Sequence, residues 1–346
     1  MAYVTPSRER RVLKAGHSSI AVTLPKPWAE AMNLRPGDIV VFDQNDDGTL
    51  YLKPAPTAAS GVPGSPYLVQ ARAFEAPGVL TRLVEGAYRV GHDAIEIRAE
   101  LPLAAERFEE LQAVARGLLG VSIVAQESNR VVLQNFIDPS KYGLPQLVQR
   151  MKMILIAFLD ESEDIVRRRA HSKRLPSLQE ETHKVLSLLI RQLFLASRDW
   201  SLARRIGSPD PRQLLEWRVV VQSLEELGEL LGRIATELNR APASFRAGSA
   251  ILEPLLGDLR SHLKVVVEAL MRPSLQGGCE AHGSTLRLRE TISESAPQWA
   301  STSDRHRRTA ICHSLERGAA CLTTLASVAI DRAVAVGSET VLIETG

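Results

Sequence analysis

Along the first fifty or so positions the chain alternates between apolar and polar residues, then changes period twice. "RRVLKAG" and "SIAVTLP" place Val12, Ile20, Val22 and Leu24 at or near period two, which predicts two short strands around the turn "AGHSS". "KPWAEAMNL" follows with a helical face of Trp28, Ala31, Met32 and Leu34, with Pro27 in the opening turn and Pro36-Gly37-Asp38 closing it. "IVVFDQ" and "TLYLKP" then return to strand character around "NDDG", where Gly48 accepts positive φ in a hairpin turn. A piece this small exposes too much apolar area to be stable alone, so it should dimerise or be covered.

"PAPTAASGVPGSP", residues 54–66, has linker composition, without charge or periodicity. Beyond it, "YLVQARAF", "AIEIRA", "GVSIVAQES" and "RVVLQNFID" read as strands, while "GVLTRLVEGAYRVG" and "AAERFEELQAVARGLL" have helical spacing. From Pro139 onward only helical patterns remain, interrupted near 176, 209, 242, 273 and 297 by Pro or Gly. Five breaks predict six helices. The fold class is therefore multidomain α+β. The expected divisions are 1–56, a linker at 57–66, a small α/β segment at 67–138, and two three-helix bundles at 139–240 and 241–346.

At 45% hydrophobic, 24% charged and 5% aromatic, the composition is that of a helix-leaning globular chain. Its net charge of +2 hides an asymmetry. Residues 1–37 carry Arg8, Arg10, Arg11, Lys14, Lys26 and Arg35 against Glu9 and Glu30, an electrostatic footprint of nucleic-acid binders that solvated surface charge also produces. The cysteines, Cys279, Cys312 and Cys321, are an odd number and imply no disulfide framework. No signal peptide opens the chain, and runs such as "MILIAFL" fall far below the ~20 residues of a membrane span, so a cytoplasmic location is expected.

Within "VVVQSLEELGELLGRIATEL", Val220, Leu224, Leu227, Leu231, Ile234 and Leu238 form one narrow seam, and Glu225 and Glu229 lie off it. Carboxylates four apart project from one helix face and can share a divalent cation through oxygen; a solvated acidic face is the plainer alternative. "LERGAACLTTLA" at 315–326 repeats features of 224–235, with Glu316 matching Glu225 and Ala320 matching Glu229, as an internal duplication would. Cys279-x-x-His282 and Cys312-His313 lack the paired C-x-x-C of a structural zinc site, and His183 and His306 read as surface or helix-end residues. No phosphate loop, dinucleotide fingerprint, H-E-x-x-H or nucleophile elbow is present, so no enzyme activity is expected.

Residues 10–54 resemble the AbrB/SpoVT family of swapped-hairpin DNA-binding domains. The resemblance rests on a basic first strand, the turn Gly16-His17-Ser18, a strand ending in Leu24-Pro25-Lys26, a Trp-bearing helix and Leu34-x-x-Gly37-Asp38. It implies an interleaved homodimer that contacts DNA through Arg8, Arg10, Arg11 and Lys14, with Lys26 beside them. The remainder resembles the PhoU family in its fusion to AbrB-type domains, through "EGAYRVGHDAIEI", "NFIDPSKYGLPQLVQRM", "LIRQLFLASRDW" and "LEELGELLGRIA". That resemblance implies two three-helix bundles whose outer acidic motifs hold Mn, Fe or Mg, here through Glu225, Glu229 and Glu316. Lys184 stands where an aspartate is expected after Glu180 and Glu181.

The expected function is a dimeric, DNA-binding phosphate-uptake regulator. The alternative is an adaptor that contacts a phosphate transporter or a sensor kinase without binding DNA. An antitoxin role needs only a short toxin-binding tail, and the long folded remainder argues against it.

Overall fold

The computed structural model describes residues 9–44, 48–54, 66–70, 78–168, 170–300 and 304–337. The chain divides into two units, Met1–Pro63 and Gly64–Gly346.

In the first unit, β1 (Leu13–Ala15) pairs antiparallel with β2 (Ser19–Ala21), and β3 (Val40–Gln44) pairs antiparallel with β4 (Leu50–Pro54). Helix α1 (Lys26–Ala31) lies between the hairpins in sequence, with Pro27 in its first turn and Asn33, at φ 53°, just beyond its end. Gly48 has the expected positive φ, 81°, while the rest of "NDDG" lies outside the described residues. The hairpins form two separate two-stranded sheets. No described side chain of this unit is buried, so its strands and helix have no core within one chain.

The second unit opens with β5 (Tyr67–Gln70), α2 (Val79–Arg89), β6 (Ala94–Arg98), α3 (Ala105–Gly117), β7 (Val121–Glu127) and β8 (Arg130–Asn135). The strands order as β5-β6-β8-β7, with β5 parallel to β6 and the other pairs antiparallel. Period-two alternation sends Val69, Ile95, Ile97, Val131 and Leu133 into one core with Leu80, Val84, Tyr88, Leu111 and Val114 of the two helices.

Among the described residues eight α-helices follow: α4 (Leu144–Arg168), α5 (Leu175–Ala196), α6 (Trp200–Arg205), α7 (Pro211–Arg240), α8 (Ala243–Ala247), α9 (Leu252–Met271), α10 (Leu275–Ala300) and α11 (Arg305–Val336). Six are long, as the breaks predict. Two short ones occupy breaks, α6 because the Asp199 side chain accepts from the Ser201 and Leu202 N–H groups. The break expected at Pro297 comes later: α10 carries on to Ala300, since one proline forfeits a single backbone bond near a helix end.

α4, α5 and α7 pack on one another, as do α9, α10 and α11, and the two trios meet where α4 lies on α9 and α7 on α11. One hydrophobic cluster runs through both, and the seam Val220, Leu224, Leu227, Leu231, Ile234 and Leu238 is buried in it throughout. Ion pairs Glu216–Arg332, Glu226–Arg317 and Glu237–Arg307 show α7 and α11 running antiparallel, because positions rise on one as they fall on the other. Glu226 and Arg317 are 91 residues apart, the offset of the recurring stretch. Leu227 and Gly318 share that offset, and a Cβ on Gly318 would sit 3.4 Å from Leu227 Cδ1. The recurring stretches thus meet at one crossing of α7 and α11.

α11 is the one helix among the described residues long and apolar enough to cross a membrane. Its many Ala, Leu, Val, Ile and Cys residues lift the average, and half of that stretch is buried, as in a core helix. Cys312 and Cys321 are buried on it outside any disulfide, and burial pushes their thiols up to about 11 and about 12.

The α/β segment is fastened to α5. Gly91, at φ 105°, ends α2, lets the His92 N–H reach the Ala87 carbonyl at 3.0 Å, and turns the last carbonyls of α2 toward α5. Arg191 of α5, 2% exposed, donates to the carbonyls of Tyr88 at 2.6 Å and His92 at 3.0 Å and to the Asp93 carboxylate, with its guanidinium over the Tyr88 ring. Burial lowers the Arg191 pKa, against Asp93 and Tyr88, which raise it. Gln192 donates to the carbonyls of Pro139 and Tyr142.

Candidate nucleic-acid interface and candidate metal groove

The candidate DNA contacts fall on the leading edge of the first hairpin. Arg10 and Arg11 precede β1, and Lys14 is its central residue, opposite Ile20. All three are exposed, and Arg11 and Lys14 make no ion pair among the described residues. Arg10 donates to the Glu9 carbonyl at 3.3 Å. Lys26 stands apart on α1, 3.7 Å from Glu30 in an exposed i,i+4 pair. Arg8 lies outside the described residues.

Large apolar side chains stand exposed in the same unit: Ile20 at 76%, Ile39 at 73% and Leu50 at 64%, together with Phe42 and Val12. An exposed apolar set of this density marks an interaction surface. Cations on the lead strand and an uncovered apolar set beside them are what a DNA-binding unit needs if a second chain supplies its core.

Glu225 and Glu229 come together in a groove of about 540 Å³ between α5 and α7. Glu225 is half-buried, Glu229 is exposed, and neither makes an ion pair or hydrogen bond among the described residues. Glu316 is not with them. It lines a separate groove beside Arg289 and Glu290 of α10, the counterpart position in the second trio. Glu180 and Glu181 do not enter the first groove: Lys184 holds Glu180 at 2.6 Å and Arg150 holds Glu181 at 2.9 Å. The hydrogen bond from Lys184 keeps the Glu180 carboxyl below its ordinary value.

The polar side chains that α5 presents to the groove are Gln179, Thr182 and His183; Arg89, Arg233, Arg240 and Glu237 also line it, Glu237 being held by Arg307 at 3.0 Å. His183, expected at a surface or helix end, sits mid-helix with Nε2 3.0 Å from Glu85 of α2. Burial pushes the Glu85 carboxyl up, but the bond and charge of His183, with Arg89 and Arg82, outweigh it and hold the group below its usual value. His306 does lie at a helix start. Among the described residues no three of His, Cys, Asp and Glu converge to hold a metal ion, and the Glu225, Glu229 and Glu316 set does not fit Mn, Fe or Mg. Buried Cys312 and exposed His313 share no site, and Cys279 is an exposed free thiol.

Sequence reasoning missed Arg89, Arg191 and the His183–Glu85 pair. Each acts across elements far apart in the chain, and the one local signal is the charge of Arg191 inside the apolar run "LLIRQLFLA".

The family described as antidote-toxin recognition MazE, bacterial antitoxin, matches residues 13–59. No curated protein and no solved structure matches the chain. The first unit thus carries a MazE/AbrB-type domain, which agrees with the hairpin, helix, hairpin order and the uncovered apolar surface.

Proposed function

We propose that the protein is a dimeric regulator that binds duplex DNA through the basic strand of its MazE/AbrB-type domain. The observation that carries this reading is the first unit's lack of any buried described side chain beside exposed Arg10, Arg11 and Lys14. A second chain that covers Ile20, Ile39, Phe42 and Leu50 would double the basic strand. Two copies side by side suit a duplex site with matching half-sites.

The helical region is read as a PhoU-like sensor that relays phosphate status to the DNA-binding dimer. Support comes from the resemblance of its four stretches and from the packing of the helices as two trios. On this reading residues 1–56 bind DNA and dimerise, 57–66 link, 67–138 form the α/β segment, and 139–240 and 241–346 are the two bundles. DNA recovered with the protein and mapped against phosphate-transport genes tests the proposal. Sites upstream of those genes support it; sites elsewhere remove the phosphate assignment but leave DNA binding. An absence of duplex binding favours the adaptor.

The match to a bacterial antitoxin family favours a second reading, an antitoxin-type regulator. Recovery of a small toxin as a stoichiometric partner, lost on deletion of residues 1–63, would select it.

A further inference from the structure

The α5–α7 groove is where a metal would sit if the helical region worked as its resemblance implies, and its residues are wrong for one. Hard cations gather six or more oxygen ligands, and a protein site supplies several of these as carboxylates. Here the free carboxylates are Glu225 and Glu229 on α7 alone. The α5 wall offers Gln179, Thr182 and His183, and the Thr182 hydroxyl is already given to the Leu178 carbonyl. His183 is bonded to Glu85.

Positive charge is already resident. Arg89 enters from α2 with Nε and Nη2 on the buried Ser187 hydroxyl, at 3.3 and 3.2 Å, and Arg233 and Arg240 line the same groove from α7. Ser187 is neutral, and Arg89 shares Glu85 with His183 and Arg82, so part of its charge remains to balance the groove carboxylates. Glu237 also lines the groove but is already held by Arg307 at 3.0 Å, so a metal ion entering would meet three guanidiniums and two uncommitted carboxylates, a net repulsion in a half-buried place.

We infer that Arg89 fills the cationic role in this groove and closes it to metal, so that a cation borne by the α/β segment replaces an exchangeable ion. The helical region then responds to its ligand or partner without metal, and the groove's charge balance depends on α2 staying docked on α5. The inference does not depend on DNA binding, and its test reads metal alone.

Full-length protein is titrated with Mn²⁺ alone, and free Mn²⁺ is followed by its electron paramagnetic resonance signal beside thermal unfolding. The wild type should leave the free-ion signal intact and shift its melting temperature by under about 1 °C at 1 mM Mn²⁺. A site with micromolar affinity would raise it by roughly 5 °C or more. Loss of free signal in the wild type that E225Q/E229Q abolishes would overturn the inference. The variant R89Q/Q179E removes the resident cation and adds a carboxylate at exposed Gln179, and it should gain saturable Mn²⁺ binding where Q179E alone does not. Binding by Q179E with Arg89 in place, or none by folded R89Q/Q179E, would also overturn it. Should the double variant fail to fold, the wild-type titration still decides.

Discussion

Replacing Arg191 by Met should loosen the α/β segment from the helices without dissolving either core. Arg191 supplies the donors for the Tyr88 and His92 carbonyls and lies under the Tyr88 ring. Hydrogen bonds to a charged group contribute about 1.5–3 kcal/mol each, and a desolvated cation–π contact up to ~2. Asp93 is largely exposed and loses little, because water takes over its solvation. Against these losses, the variant no longer keeps a guanidinium away from water, which returns several kcal/mol. The net loss expected is about 2–4 kcal/mol, or roughly 4–15 °C in melting temperature. Hydrogen exchange should show the loss in α2 and β6 first, with α9 and α11 unchanged. Uniform loss across all helices, or a drop under ~1 kcal/mol, would refute the view that this side chain fastens the segment.

Gly278→Ala should destabilise by about 1–2 kcal/mol, because its Cβ would sit 2.9 Å from Ile330 Cγ1 and 3.2 Å from the Ile330 backbone nitrogen and force α10 from α11. Gly283→Ala on the same helix meets only the end of the Arg287 side chain at 3.7 Å and should gain up to ~1 kcal/mol, as chemical unfolding would show. Glu96, held below the ordinary carboxylate value by bonds from Arg98 and Arg130, should lend stability above about pH 4.5 that is lost as pH falls through its lowered folded value. The stability gap between wild type and E96Q should therefore be full at pH 7 and close as the pH drops below that point; a gap that persists in acid would contradict the assignment.

The long helices were legible because one apolar stripe repeats with helical period and Pro or Gly stands at nearly every stop. The 224–238 seam was readable for the same reason, and its full burial follows from two trios closing on one core. Near Pro297 the helix runs on to Ala300, because one proline forfeits a single backbone bond near a helix end. The metal reading rested on spacing alone. Spacing places Glu225 and Glu229 on one face, but it cannot show that Arg89, more than a hundred residues earlier, reaches the same groove, or that Lys184 has already taken Glu180. Arg191 and Gln192 sit inside the apolar run "LLIRQLFLA", where a buried charge is legible as an anomaly but its partners, near 88–93 and 139–142, are not.

The central claim, that the first unit is a dimer gripping duplex DNA by its basic strand, is tested most directly by the salt dependence of binding. A dimer presents Arg8, Arg10, Arg11 and Lys14 twice, about eight cations, of which roughly four to six should neutralise phosphates. Counterion release then gives a slope of log K against log salt of about −4 to −5. R10A/R11A should flatten it by about one unit for each phosphate that the variant no longer neutralises, with sedimentation still reporting a dimer. Absence of duplex binding at ~50 mM salt, or an unchanged slope in the folded double variant, would contradict the account and leave the basic strand as part of a dimerisation module alone.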